Sequence, residues 1–320
     1  MMRIMGRSKV LLAVLATSTL LLVGCGSGPS QVTSAAIVGD RSVPLAEVQQ
    51  EIQWLIDHSP EAKEAKQQRK LDLTAREVVA NRIKHELMAV AAQRMGLRAD
   101  PAQVDAQIER FGGVDAVATQ IPTEPSRVRE FFTDRVLAEQ VGAQAVGNLA
   151  VTAVSTVITA EAPGSTAKDK AIELGRKVAA DPARAAQLIA ESGNEPANRT
   201  WTLPQTFGEE ANAELVISPL FGAKPGTVLV IQPSSQAAGW MVALVTDRRT
   251  APLPDAGQGV PSQALSFIGW RQLQPLAEEL GIRVNPRYGV WDEAGMKLAP
   301  NTDELTGFQF PARDVRPSKP

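Results

Sequence analysis

Ala36-Ile37-Val38-Gly39-Asp40-Arg41-Ser42-Val43-Pro44-Leu45-Ala46-Glu47-Val48 is the stretch whose reading decides the fold. It begins apolar and β-branched, turns at Gly39-Asp40 and leaves the turn extended, before Pro44 opens a helix at the first-turn position that proline favours. Leu45, Val48, Ile52, Leu55 and Ile56 then recur at helical spacing. The chain thus opens with a strand, a tight turn and an amphipathic helix.

Upstream, Arg3, Arg7 and Lys9 precede an uncharged apolar run from Val10 to Gly24, and Cys25, the single cysteine, follows it. A basic segment, a short apolar segment and small residues at the exit describe a secretory signal, and the run is too short to span a bilayer as a helix. Leu22-Val23-Gly24-Cys25 resembles the bacterial lipobox. That resemblance implies cleavage before Cys25, lipidation of Cys25 and anchorage on the extracytoplasmic face of the cell membrane. Two acyl chains hold a protein firmly at a bilayer where one does not. Residues 25–34 then read as a tether, small and Gly/Ser-rich up to Gln31.

Three of the 33 Lys and Arg residues lie in the leader, against 35 Asp and Glu in the rest, so the processed chain carries a net charge of −5. A nucleic-acid partner is not expected at that balance. With 44% hydrophobic residues and nearly three hundred residues after the leader, one or two ordinary cores are available. With Cys25 acylated, no thiol remains for a disulfide.

Downstream, Ser59-Pro60 ends the first helix and a polar stretch from Glu61 to Lys70 crosses to a second, with the stripe Val79, Ile83, Leu87, Val90 and Ala91 and a stop at Gly96. Asp100-Pro101 caps a third, facing inward with Val104, Ile108 and Phe111. Val128, Phe131, Phe132 and Val136 mark a fourth. Past Gly147 the pattern changes: Val151 to Thr159 is uncharged and largely β-branched, as a buried strand should be. Helices follow around Ile172 to Val178 and Leu188-Ile189, then a polar loop and a short helix at Ala211 to Val216. The turn Lys224-Pro225-Gly226-Thr227 leads to strands at Val228 to Ile231 and Gly239 to Val245. A Pro/Gly-rich linker, a helix with Leu265, Ile268, Leu273, Leu276 and Leu280, and an extended Ile282 to Trp291 complete the periodic part.

Two stretches carry a family resemblance. Ala36 to Val48 is similar to the strand, turn and helix that open the SurA N-terminal chaperone domain. Leu220-Phe221-Gly222-Ala223-Lys224-Pro225-Gly226-Thr227-Val228, continuing to Gly239 to Arg248, resembles the second half of a parvulin-type prolyl isomerase domain. The chain therefore looks like the SurA and PrsA group of extracytoplasmic foldases. The resemblance implies an α+β protein: a mainly helical chaperone domain completed by a C-terminal helix and strand, with an inserted parvulin-like α+β domain. Ile282 to Gly289 would then pair beside Ala35 to Val38. The expected division is a signal peptide at 1–24, a tether at 25–34, the SurA-like domain at 35–147, the parvulin-like domain at 148–250, the returning linker, helix and strand at 251–294, and a disordered tail at 295–320.

Parvulins place two histidines face to face on neighbouring strands. The only histidines here, His58 and His85, lie in the helical segment, and Thr156 and Met241 occupy the aligned strand positions. A degenerate isomerase domain attached to a holdase follows, with no catalytic residue assigned, no cofactor, and unfolded or secreted polypeptides as partners. An active peptidyl-prolyl isomerase and an envelope scaffold with one folded partner remain the alternatives. Trp54 and the adjacent pair Phe131-Phe132 are candidates for a client groove or, by default, for core; Trp240 and Met241 lie where a parvulin pocket would be, and alternation sends them to opposite faces. His85 falls off its helix's stripe and is expected in solvent. Sparse histidines and a blocked cysteine leave no expected metal site.

Overall fold

The structure is a computed structural model that describes residues 32–159, 164–208, 210–234, 239–253 and 260–312. The leader, Cys25 and the tether as far as Gln31 lie outside the described residues.

In chain order the elements are β1 (Ser34–Val38), β2 (Arg41–Pro44), α1 (Leu45–His58), α2 (Pro60–Gln67), α3 (Leu71–Met95), α4 (Pro101–Arg110), α5 (Val114–Gln120) and α6 (Val128–Asn148). Then come β3 (Leu149–Ile158), α7 (Ala167–Ala180), α8 (Ala185–Glu191), β4 (Ala197–Thr202), α9 (Leu203–Gly208), β5 (Thr227–Ile231) and β6 (Trp240–Thr250). The chain closes with α10 (Ser262–Arg271), α11 (Gln274–Leu280), β7 (Ile282–Val284), β8 (Val290–Asp292), β9 (Lys297–Ala299) and β10 (Gly307–Pro311).

The ends of the chain meet. β1, buried along its whole length, pairs antiparallel with β2 across the Gly39 turn and with β7, in the register Ala36↔Val284, Ile37↔Arg283 and Val38↔Ile282. Gly39 takes φ +61°, which only glycine adopts without penalty. Gly39 N also donates to Gly281 O at 3.0 Å, so the turn and the C-terminal strand are fastened together. Pro44 ends β2 and stands at the cap of α1, one position before the first turn. The helical core gathers Val48 and Leu55 from α1 and Val79, Ile83, Leu87 and Met88 from α3 beneath this small sheet.

The second sheet has the order β10-β5-β6-β3-β4, all antiparallel. One face, with Val154, Val228, Val230, Val242 and Leu244, packs on α7 and α8; the other, with Val151, Ala153, Leu229, Met241 and Ala243, packs on the end of α6 and on α10. A capping box between Thr166 and Asp169 starts α7. The molecule is thus α+β, a mainly helical body closed by a C-terminal helix and strand, with an α+β insertion between α6 and α10.

The joint between the two bodies is a helix crossing at backbone contact. A Cβ on Gly142 of α6 would lie 1.9 Å from Leu265 O, and a Cβ on Gly269 of α10 would lie 1.8 Å from Ala138 O. Each glycine lets the other helix's carbonyl approach, so no side chain fits at either position.

Three expectations are corrected. Residues after Ala294 are not a disordered tail as far as Ala312: Met296, Leu298 and Ala299 are buried with the helical body, and Gly307 to Pro311 forms the strand that covers the β5 edge. Phe308 and Phe310, two residues apart, lie on one face against α7, where Lys168 and Arg176 sit over their rings. Their strand character depends on β5, some eighty positions earlier, so nothing local announced it. Glu61 to Lys70 is mostly helix, because Ser59 Oγ accepts from Ala62 N at 3.3 Å and Pro60 starts the first turn. Phe111, expected inward, ends α4 and is 41% exposed.

Candidate functional site

A cavity of ≈ 360 Å³ opens where the two bodies meet. Its walls are α3 (Asn81, Lys84), α6 (Phe131, Asp134, Arg135) and α10 (Gln263, Ser266, Phe267, Trp270, Arg271), and its ends are Ile217 and the turn at Gly295-Met296. Phe267 is 50% exposed and Ile217 42% exposed, while Phe131 and Trp270 are half-buried. Phe267 and Trp270 stand three residues apart on α10, so both project from one face, opposite the Leu265 and Ile268 stripe that packs on the sheet. An apolar surface of this kind, at an opening with polar walls, releases water when a guest apolar side chain enters.

Of the residues nominated by sequence, Phe131 lines this groove. Phe132, 2% exposed, does not: it sits in a small core with Val104, Ile108 and Val136, edge-on to Phe131 at 5.4 Å between centroids. Trp54 packs between that core and the main one, its ring stacked on His58 at 4.6 Å. Adjacent positions on a helix diverge by about 100°, and α6 uses that divergence to send Phe132 into the core and Phe131 to the groove. The Leu/Ile stripe dominates the pattern of α10 and masks Phe267 and Trp270 on its other face. The aromatic pair at spacing three on the other face was the available signal.

Trp240 and Met241 separate to opposite faces of the sheet, as alternation requires. Met241 is buried with Ala243 and Val245 on the face toward α6 and α10, and Trp240 is half-buried on the α7 side with Lys168 Nζ 5.4 Å from its ring centroid. Met241 stands opposite Val157, whereas Thr156 stands opposite Val242 on the other face. Thr156 and Met241 are therefore not a facing pair. The positions that do face each other, Val157 and Met241, carry no titratable group.

Beside the groove runs a chain of charged groups linking α1, α3 and α6. Glu51, fully buried, accepts from Arg82 Nε at 2.7 Å, from Arg127 Nη1 at 2.9 and 3.0 Å, and from Thr123 Oγ1 at 3.0 Å. Arg82 also pairs with Glu47 at 2.7 Å, and Arg127 pairs with Glu130. Glu130 faces His85 Nε2 at 3.5 Å, and His85 Nδ1 lies 2.9 Å from Asp134 Oδ2. His85 is therefore tied between two carboxylates and not free in solvent. Burial pulls its pKa down, but the hydrogen bond and charge of Asp134, with Glu130 and Glu86, outweigh that and leave it raised. Burial pushes the Asp134 carboxyl up to about 6, against the opposing pull of His85.

His85, Glu130 and Asp134 bring three ligand-type atoms within 4.8 Å of one another, a convergence that sequence spacing had not revealed because His85 comes from α3 and the acids from α6. In the structure these atoms are engaged with one another and with Arg127.

The cations of the groove are held differently. Arg271, 8% exposed, donates from Nε to Ile217 O at 2.7 Å and from Nη1 to Gln274 Oε1 at 3.2 Å, with no carboxylate in ion-pair distance among the described residues. Burial lowers its pKa to about 10, with Asp292 opposing. Asp292 is already occupied by Gly295 N, Thr306 N and Thr306 Oγ1. Lys84 makes no hydrogen bond or ion pair among the described residues. Burial and then Arg271 push its pKa down, and Glu77 only partly offsets them.

The described residues form an α+β protein with an aromatic-lined groove at the junction of its two bodies. Residues 1–113 match the family model of the SurA-like N-terminal domain. Among solved structures, the chain is similar to the foldase protein PrsA from Lactococcus lactis at 12% identity, over 78% of this chain and 94% of that one, with a TM-score of 0.26. No curated protein matches the chain. No helix among the described residues is long and apolar enough to cross a membrane.

Proposed function

We propose that this protein is a holdase, anchored through acylated Cys25 on the extracytoplasmic face of the cell membrane, that keeps unfolded or secreted polypeptides from aggregating by receiving their apolar residues in the groove between α6 and α10. The exposure of Phe267 and Ile217 beside Phe131 and Trp270 at one opening carries this reading. The parvulin-like insertion acts as scaffold: β3 and β6 offer Val157 and Met241 where an isomerase would need polar groups to twist an imide across its ~18–20 kcal/mol barrier.

Suppression of aggregation of several unrelated denatured proteins tests the holdase. Phe267→Ser with Trp270→Ser should abolish suppression, and Phe267→Ser alone, at a side chain 50% exposed, should weaken it while leaving the thermal transition near that of the parent. Unchanged suppression by that double variant refutes the groove. Isomerase activity of the unmodified protein on a proline peptide refutes the scaffold role of the sheet. Mass spectrometry of the processed N-terminus, compared with Cys25→Ser, tests the anchor.

A further inference from the structure

We infer that Lys84 and Arg271 form a carboxylate-recognition subsite within the groove, so that the preferred client segment carries an aspartate, glutamate or C-terminal carboxylate next to an aromatic residue. This rests on the groove as a polypeptide site and adds the chemistry that selects among polypeptides.

Charges withdrawn from water are ordinarily paired, as in the neighbouring ion chain, where Glu51 alone is met by two arginines and a threonine. Lys84 and Arg271 break that pattern on the wall of one ≈ 360 Å³ cavity. Lys84 has no hydrogen-bond or ion-pair partner among the described residues. Arg271 spends Nε and Nη1 on neutral oxygens, and Asp292, the carboxylate that acts on it from beyond ion-pair distance, already accepts from three other donors.

The other charged groups facing this corner do not cancel the excess. Asp134 is engaged with His85, Arg135 pairs with Glu139 at 3.4 Å, Glu77 acts on Lys84 from an exposed position, and Lys297 adds further positive charge. Two cations that repel each other beside apolar walls are stabilised by an anion placed between them. A carboxylate supplies that charge and accepts from both. The exposed Phe267 and the half-buried Phe131 and Trp270 take the neighbouring side chain. The cavity is at the small end for ligand sites, fitting a short extended stretch of chain and not a folded surface.

Fluorescence anisotropy with labelled heptapeptides on the full processed protein tests this. The probes are a central Phe-Asp-Phe, the same peptide with Phe-Asn-Phe, both amidated, and a Phe-Asn-Phe peptide with a free C-terminal carboxylate. The Asp peptide should bind about tenfold or more tightly than the Asn peptide, the size expected of a charge-assisted hydrogen bond. Recovery of binding by the free-acid peptide assigns the same subsite to a chain terminus.

Lys84→Met should erase the Asp preference without lowering the thermal transition, because Lys84 has no partner to lose. Lys84→Glu should reverse the preference toward a Phe-Lys-Phe peptide. Equal binding of Asp and Asn peptides that is lost in the Phe267→Ser, Trp270→Ser protein overturns the subsite and leaves the groove standing. Absence of binding by every peptide overturns both.

Discussion

The Gly142 and Gly269 crossing sets the distance between the two longest walls of the groove, so Gly269→Ala perturbs stability and binding together. The added methyl would sit 1.8 Å from Ala138 O and 2.7 Å from Ala138 C, where ordinary contact begins near 3.4 Å. The obstacle is a helix carbonyl, which cannot rotate aside as a side chain can. Relief requires α10 to move from α6 by about 1.5 Å, within the range where overpacking costs about 1–3 kcal/mol. Replacing glycine in a helix interior returns about 0.5–1 kcal/mol. The net expectation is a loss of about 1 kcal/mol in urea unfolding, with weaker peptide binding because Phe267 and Trp270 move with α10.

Gly142→Ala should behave similarly, its methyl meeting Leu265 O at 1.9 Å. One displacement of α10 relieves both overlaps, so the double variant should lose clearly less than the two single losses added together. A Gly269→Ala protein at least as stable as the parent, or a strictly additive pair, would refute the reasoning.

Other perturbations follow from the charge chain and the sheet edge. Glu51→Gln leaves Arg82 and Arg127 with Glu47 and Glu130 as their remaining carboxylates and should cost about 1.5–3 kcal/mol in chemical denaturation; a loss under about 0.5 kcal/mol would show that those outer partners suffice. The folded pKa of Asp134, about 6, is raised above its unfolded value, so its contribution to stability is full below about pH 4 and is lost as pH rises through about 6. His85, also raised, extends that loss above pH 6.5. Unfolding curves should therefore show stability falling by about 2–3 kcal/mol between pH 4 and 7 from Asp134, and Asp134→Asn should flatten the slope. A stop after Thr306 removes β10 and exposes the β5 edge while keeping the Asp292 hydrogen bonds, and light scattering should detect association through that edge. A monomer with an unchanged melting temperature would show that β10 covers nothing of consequence.

Local pattern was enough wherever an element's stability is mostly local. The β1 turn and α1, the αL stop of α3 at Gly96, the Asp100 cap of α4 and the Pro225-Gly226 turn with φ +84° at Gly226 were all legible, because each depends on residues within one or two turns of itself. β4 carries the sequence pattern of a polar loop, since only Trp201 of its six residues is buried; as an edge strand it shows five of them to solvent or to the rim. The groove was half legible: Phe131 could be nominated, but whether it or Phe132 faces outward depends on which side α4 packs.

The order of residues by itself determined that this chain is α+β, that its strand-turn-helix opening is SurA-like, and that its middle strands carry no histidine. The first and last of these are properties of composition and short-range periodicity, which survive in the unfolded chain, and the second rests on a family resemblance. Only the tertiary structure decided that β10 closes the second sheet, that His85 lies between two carboxylates, and that Phe267, Trp270 and Phe131 share one opening with Lys84 and Arg271. Each of those depends on packing between segments some fifty to two hundred residues apart, where burial and unpaired charge arise from neighbours that no local window contains.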